Sequence, residues 1–325
     1  MGHDIHVALC SHHGLVAGNH ELASVAWSCH DIRALGPLGL LRSLEEEVSA
    51  FGPDWIVACS DAWFGPLAKR VARKAQARFA IDAYDNYEAY MPWNLPLHWQ
   101  WRRAIAAADA TTAAGPQLAR LLDRQRKGKS PTAIVPMAAD PAFVQHDRIH
   151  ARSVLGLPAN VPLIGYSGGW ASNRGTQVLV DVFRYVRAQR PDARLVLTGR
   201  PPADVVDEPG VLALGYLPDA QLPFVLSALD VACIITANTK FGHYSYPAKL
   251  CEAMACSAPV VATATEPVRW MLRDDPRFLA SVGDAHGIAE RILTQLDAPC
   301  SEYGPLPSWE SSARAFEAAL GSPVM

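Results

Sequence analysis

The sequence predicts an α/β protein of two domains, each with a parallel sheet covered by helices, facing each other across a cleft. Three observations carry this prediction. The chain has 325 residues, enough for two average domains. Short apolar runs alternate with amphipathic stretches along both halves, the pattern of βαβ units. A proline-containing stretch of mixed polarity, Met137 to His150, separates the halves and reads as a linker. The division is a first domain at 1–138 and a second domain at 139–305, followed by a terminal helix at 306–325.

In the first half, His6 to Cys10 is an apolar run behind a polar start and reads as the opening strand. Trp55 to Cys59, Phe79 to Asp82, Ala110 to Ala113 and Thr132 to Pro136 are the next strands, each short and rich in apolar or branched residues. Pro66 to Ala77 and Gln117 to Arg126 repeat apolar positions at helical spacing. The second half gives strands at Leu163 to Ser167, Arg194 to Thr198, Val211 to Leu214, Val231 to Thr236, Pro259 to Ala262 and Leu279 to Val282. Helices are expected over Thr176 to Gln189, Asp219 to Ala228, Ala248 to Cys256, His286 to Leu296 and, after a Pro-rich stretch, Trp309 to Leu320. No internal repeat or low-complexity tract appears.

Composition removes several function classes. The chain is 50% hydrophobic and 19% charged with a formal charge of -3, so cores are affordable and nothing drives general nucleic-acid binding. No apolar run spans a bilayer, and MGHDIHVALC lacks the basic start and long apolar stretch of a secretory signal. The seven cysteines form no CxxC pair, which points to a reducing cytoplasm without disulfides or structural zinc. Asp204 to Glu208 is acidic but interleaved with valines, and reads as a surface loop rather than a metal site.

Ligands of open parallel sheets bind beyond the carboxyl ends of the strands, so the loops there carry the chemistry. After the strand ending at Ser167 comes Gly168-Gly169, then Arg174-Gly175 and a helix. Glycines let backbone approach a ligand, and the helix start offers free N–H groups and positive dipole to a phosphate. Arg174 adds a bidentate donor, or is a solvated turn residue. The spacing is neither that of a P-loop nor of a dinucleotide fingerprint. The second loop, Phe241-Gly242 to Tyr246, leads through Pro247 into a helix carrying Lys249 and Glu252 on one face. A cation and a carboxylate there suit a ligand with both phosphate and hydroxyls, such as a nucleotide sugar. The plain alternative is an exposed helical ion pair.

The run Pro247-Ala248-Lys249-Leu250-Cys251-Glu252-Ala253-Met254-Ala255-Cys256-Ser257-Ala258-Pro259-Val260-Val261-Ala262 resembles the donor-binding signature of family 4 retaining glycosyltransferases of the GT-B fold. Gly168-Gly169 with Arg174-Gly175 is similar to that family's glycine loop, and Leu214-Gly215-Tyr216-Leu217-Pro218 to its base-binding turn. Asp82-Ala83-Tyr84-Asp85-Asn86-Tyr87-Glu88 resembles a motif of some bacterial members. The resemblance implies two Rossmann-like domains, with the terminal helix at 306–325 joining the first, and a nucleotide-diphosphate sugar as donor; it calls for no cofactor and no metal. It implies donor contacts from Gly168, Gly169, Arg174, Tyr216, Leu217, Phe241, Gly242, Tyr244, Tyr246, Lys249 and Glu252. The family often has a glutamate where this chain has Tyr244, and that acid usually contacts the transferred sugar. Its absence leaves the sugar open. The family's usual glycine near Ser257 is absent too.

On the acceptor side, His12 and His13 follow the first strand, and Asp82 and Asp85 follow a later one. The histidines can hold an acceptor hydroxyl or a phosphate, or be solvated. The aspartates can position the acceptor nucleophile, or cap a turn with Asn86. The resemblance leaves the acceptor open among a glycan or sugar, a lipid-linked sugar and a small molecule. The segment 92–129 combines Trp93, Trp99, Trp101, Arg102, Arg103, Arg120, Arg124, Arg126, Lys127 and Lys129. It reads either as a peripheral contact with the inner face of the membrane or as core tryptophans beside a solvated basic face. Two other functions fit the same fold: a nucleotide-sugar epimerase, and a degenerate donor-binding scaffold.

Overall fold

The computed structural model describes residues 2–12, 18–22, 25–170 and 174–321. The chain divides into two compact units, one of Met1–Ala83, Met91–Thr112 and Leu122–Pro131, the other of Tyr84–Tyr90, Ala113–Leu121 and Thr132–Met325.

The first unit opens with β1 (His6–Ser11), β2 (Gly18–Leu22) and β3 (Val25–Asp31). β3 is central, parallel to β1 and antiparallel to β2. This pair of strands lies outside the sequence expectation, because GNHEL in β2 has neither branched residues nor apolar alternation. α1 (Ile32–Phe51) is capped by the Asp31 carboxylate, which accepts from the Arg33 and Ala34 amides. It breaks at Gly36, whose φ of 63° is outside the helical region, and resumes at Pro37. Leu40 and Leu44 of α1 then pack on Val71 of α2 (Phe64–Ala75). β4 (Trp55–Cys59) and β5 (Arg78–Ala83) run parallel, registered from Trp55 opposite Arg78 to Cys59 opposite Asp82. α3 (Leu95–Ala107) leads to β6 (Ala110–Ala113), which lies beside β5.

The basic stretch after α3 is largely structural. Arg126 is buried and donates to the Ile105 and Ala108 carbonyls at 3.2 and 2.9 Å. Lys129 donates to the Ala107 and Ala108 carbonyls, both at 2.9 Å. Together they satisfy the orphan carbonyls at the end of α3. Trp101 is core, whereas Trp93 and Trp99 are exposed, with Arg103 stacked 4.5 Å over the Trp99 ring.

The second unit holds most of α4 (Pro116–Asp123), then β7 (Ala133–Ile134), α5 (Arg148–Val154), β8 (Leu163–Tyr166), α6 (Val178–Gln189), β9 (Arg194–Thr198), α7 (Ala203–Val206) and β10 (Val211–Gly215). It continues with α8 (Leu222–Ala228), β11 (Val231–Ile234), α9 (Ala248–Ala255), β12 (Val260–Thr263), α10 (Glu266–Met271), β13 (Leu279–Ala280), α11 (Ala285–Asp297) and α12 (Trp309–Leu320). Six strands form one sheet in the order β10-β9-β8-β11-β12-β13, every pair parallel. The expected strands of this half all appear, shifted by a few residues at their ends. Alternate residues fill two cores. Leu163, Val196, Ala232 and Val260 face α8 and α9, while Ile164, Leu195, Val231 and Val261 face α6 and α11. Such a doubly buried sheet explains the continuous apolar runs. Strand order reverses between β8 and β11, which creates a crevice outside their carboxyl ends.

Two devices fix this unit. Arg152 of α5 is buried, and it donates to the Ala228 carbonyl at 3.0 Å and to the Asp230 carboxylate at 2.7 Å. Asp230 also accepts the Leu163 amide at 2.7 Å, so one carboxylate joins α5, the end of α8 and the start of β8. α9 ends in a Schellman motif, with Ala258 N–H donating to Ala253 O and Ser257 N–H to Met254 O, both at 3.0 Å. Ser257 sits at φ 52°, where glycine is favoured. Arg152→Ala is therefore expected to cost roughly 3–5 kcal/mol, because it leaves buried acceptors and a carboxylate short of partners. Ser257→Gly is expected to stabilise by about 0.5–1 kcal/mol, the relief of left-handed strain less glycine's added chain entropy. Denaturant unfolding of both variants measures these changes.

Candidate functional site

The loop after β8 is braced by the end of β9. Trp170 Nε1 donates to the Thr198 carbonyl at 3.1 Å, and Thr198 Oγ1 donates to Ser167 Oγ at 3.2 Å. Gly199, at φ 80°, abuts the loop so closely that a Cβ there would lie 2.7 Å from Gly168 O. Tyr166 reaches forward from β8, its hydroxyl donating to the Gly169 carbonyl at 3.1 Å. The bare face of Gly168 is covered by another element: a Cβ there would lie 2.8 Å from Lys249 Cε. A Cβ on Gly169 would lie 3.9 Å from Arg174 Nε. Two cations, from the start of α9 and from the turn before α6, thus converge on the glycine pair.

The loop after β11 turns back sharply. Thr263 Oγ1 accepts the Thr236 amide at 2.8 Å, and Thr239 Oγ1 accepts the Gly242 amide at 3.0 Å. Gly242 lies against the Ala237 carbonyl, with no room for a side chain. The Tyr244 and Ser245 amides both donate to Phe241 O at 3.0 Å. Tyr246 is buried, and its hydroxyl donates to Met137 O at 2.6 Å, so it holds the loop from beneath rather than facing a ligand. α9 begins at Ala248, with Pro247 one position before the first helical residue rather than within it. Burial raises the Glu252 carboxyl above the ordinary range, Lys249 opposes the rise, and Asp219 adds to it.

Asp85 belongs to the segment 84–90 that clusters with this second unit. Its carboxylate does not cap the following turn. Tyr90 donates to Asp85 Oδ2 at 2.7 Å, and Asn86 Nδ2 donates instead to Lys240 O at 3.3 Å. The Tyr90 ring packs edge-on against Phe241 at 5.0 Å, and the Tyr246 amide donates to Tyr84 O at 3.3 Å. Burial raises the Asp85 carboxyl, while Tyr90, Ser245 and the Arg174 charge pull it down. At the end of β10, Tyr216 is exposed and lies under the Arg200 guanidinium at 5.0 Å, with Leu217 half-buried beside it.

Lys249, Glu252, Gly168, Gly169, Arg174 and Asp85 are thus linked in one neighbourhood. Asp82 and His12 belong to the first unit, where Thr112 donates to Asp82 and His12 is exposed. His13 lies outside the described residues. Tyr90, Ser245, Trp170, Gly199 and Arg200 join the site without having been expected. Gly199 alone carried a legible signal, a glycine directly after a strand. The others owe their places to loop geometry.

Residues 161–298 match the family described as Glycosyl transferases group 1. The chain is 30% identical over 182 residues to a D-inositol 3-phosphate glycosyltransferase of Stackebrandtia nassauensis, covering 50% of this chain but only 40% of that protein. It is 27% identical over 312 residues to a 2-deoxystreptamine glucosyltransferase of Streptomyces kanamyceticus, covering 88% of this chain and 76% of the relative. Among solved structures, a sucrose-phosphate synthase from Thermosynechococcus elongatus superimposes with TM-score 0.74 at 17% identity, covering 98% of this chain and 85% of the other. Anabaena HepE in complex with UDP-glucose gives TM-score 0.68 at 17% identity, covering 90% and 81%. The fold is GT-B.

Two predictions follow from the packing and the charge. Gly242→Ala forces a methyl group into the Ala237 backbone and is expected to cost roughly 1–3 kcal/mol on unfolding. Glu252 has a raised folded pKa, so its ionised form weakens the fold. That penalty appears as pH climbs past the unfolded value of about 4.3 and is complete above the folded pKa. Glu252→Gln is expected to melt higher than the parent at pH 7, with the gap closing at and below about pH 4. Thermal melts across that range check the sign.

Proposed function

We propose that the second unit binds a nucleoside-diphosphate sugar, and that the chain transfers the sugar to a hydroxyl acceptor with retention, as a family 4 glycosyltransferase. The observation that carries this is Lys249 lying over Gly168 beside Arg174, at the strand-order switch between β8 and β11. Backbone stripped of side chains, two cations and the start of α9 all offer positive potential to a diphosphate. Glu252 accepts from the ribose hydroxyls. Tyr216 and Leu217 flank the base. Phe241, Gly242 and Tyr244 border the sugar end, with Tyr246 supporting them.

In the reaction, the bond between the anomeric carbon and the diphosphate oxygen breaks, and negative charge gathers on the leaving phosphate. Lys249 and Arg174 stabilise that charge more than the ground state, which is the source of rate. The acceptor oxygen bonds to the same face of the sugar, and its proton passes to the departing phosphate. No cofactor or metal is assigned to this step. In this reading the domains divide at residue 138, and the first, with His12, His13 and Asp82, takes the acceptor. The names of the relatives direct the acceptor search toward ring polyols such as inositol phosphates and aminocyclitols. No helix among the described residues is long and apolar enough to cross a membrane. Exposed Trp93, Trp99, Arg102 and Arg103 keep a peripheral contact with anionic lipid within the proposal, as does a cytoplasmic setting.

The test is a thermal-shift screen of UDP, GDP and ADP and their hexose conjugates. One base is expected to stabilise the protein, by about 2.7 kcal/mol at a hundredfold excess over Kd. Lys249→Ala and Arg174→Ala should each weaken the nucleotide at least tenfold, as expected for lost charge-assisted contacts. A wild-type protein that responds to none of the six ligands would refute the reading.

A further inference from the structure

Residues 235–247, the loop that borders the proposed sugar position, contain no acid. A carboxylate reaches this region from elsewhere in the chain. The segment 84–90 clusters with the second unit, although the strand before it belongs to the first. Its attachment is specific: Asn86 Nδ2 donates to Lys240 O, the Tyr246 amide donates to Tyr84 O, and Tyr90 packs on Phe241. These contacts place Asp85 beside Ser245 and within reach of the Arg174 charge.

We propose that Asp85 is the acceptor group for the hydroxyls of the donor sugar, and that Tyr90 is the residue that positions it. This inference rests on the nucleotide-sugar reading above, and moves Asp85 from the acceptor side to the donor side. Tyr90 occupies Oδ2 at 2.7 Å. The single hydroxyl hydrogen of Ser245 is shared with Phe241 O, to which it donates at 2.9 Å. A carboxylate has about four lone-pair sites, so capacity for sugar hydroxyls remains. Burial makes an ionised Asp85 costly, which Arg174 and Tyr90 partly offset. Hydroxyl donors from a ligand would offset it further, so binding and ionisation are coupled. A carboxyl placed only to brace the loop would gain nothing from a sugar.

The test compares binding of a nucleoside diphosphate with binding of its hexose conjugate, by calorimetry, using whichever base the wild type prefers. Asp85→Asn removes a negative charge near Arg174, so it is expected to leave diphosphate affinity no weaker than in the wild type and to weaken the sugar conjugate about tenfold. Tyr90→Phe keeps the ring on Phe241 and is expected to weaken the conjugate alone by about threefold. In the wild type the preference for the conjugate over the diphosphate should rise with pH as Asp85 ionises, and in Asp85→Asn it should be flat. Equal weakening of both ligands, or no change in either, would overturn the assignment. If Asp85→Asn does not fold, Tyr90→Phe decides alone, and wild-type affinity for the conjugate in that variant counts against the proposal. A wild type that binds neither ligand overturns the underlying function instead.

Discussion

The second unit is organised by a close backbone approach at the carboxyl end of its sheet. Gly199 leaves the Gly168 carbonyl just enough space, and the bare Gly168 surface admits Lys249. A side chain on Gly199 would push the loop after β8 off the end of β9, and one on Gly168 would displace the end of Lys249 and the Tyr166 ring. Trp170 and Thr198 then fasten the loop in this position through hydrogen bonds at 3.1 and 3.2 Å. The convergence of positive charge follows from that packing. It needs no long-range steering, and the chain's formal charge of -3 offers none.

The same neighbourhood holds two carboxyls that burial drives upward, Asp85 and Glu252, each beside a cation that opposes the shift. In a stability sense both are liabilities, since neither cation fully offsets the cost of desolvation. Groups retained at such a cost are what a binding site for a polyhydroxyl anion requires: cations for the phosphates and desolvated acceptors for the hydroxyls. The structural charges behave differently. Arg152, Asp230 and Arg126 have their hydrogen bonds satisfied within the protein and leave nothing for a ligand.

The second unit was legible from its sequence because a doubly covered parallel sheet writes itself as uninterrupted apolar runs. Leu163–Tyr166 and Val231–Ile234 are of this kind, and the switch point between them picks out both loops of the site. The first unit was less legible. β2 is polar, and α1 is interrupted at Gly36, so neither shows the periodicity that marks a strand or a helix. Arg126 looked like part of a charged surface because sequence does not show which cation will turn inward to cap a helix end. The place of Asp85 was hidden for another reason. Its segment follows a first-unit strand but attaches to the second unit through backbone carbonyls and ring edges, which leave no trace in residue type.

The central claim is that the glycine pair, Arg174 and the start of α9 form one anion site. Hydrogen–deuterium exchange with and without the preferred nucleoside diphosphate tests it most directly. The account predicts slowed exchange at amides 167–170, 174–178 and 248–252, with the sheet interior unchanged. Protection confined to other segments, or none at 167–170 under saturating ligand, would contradict it.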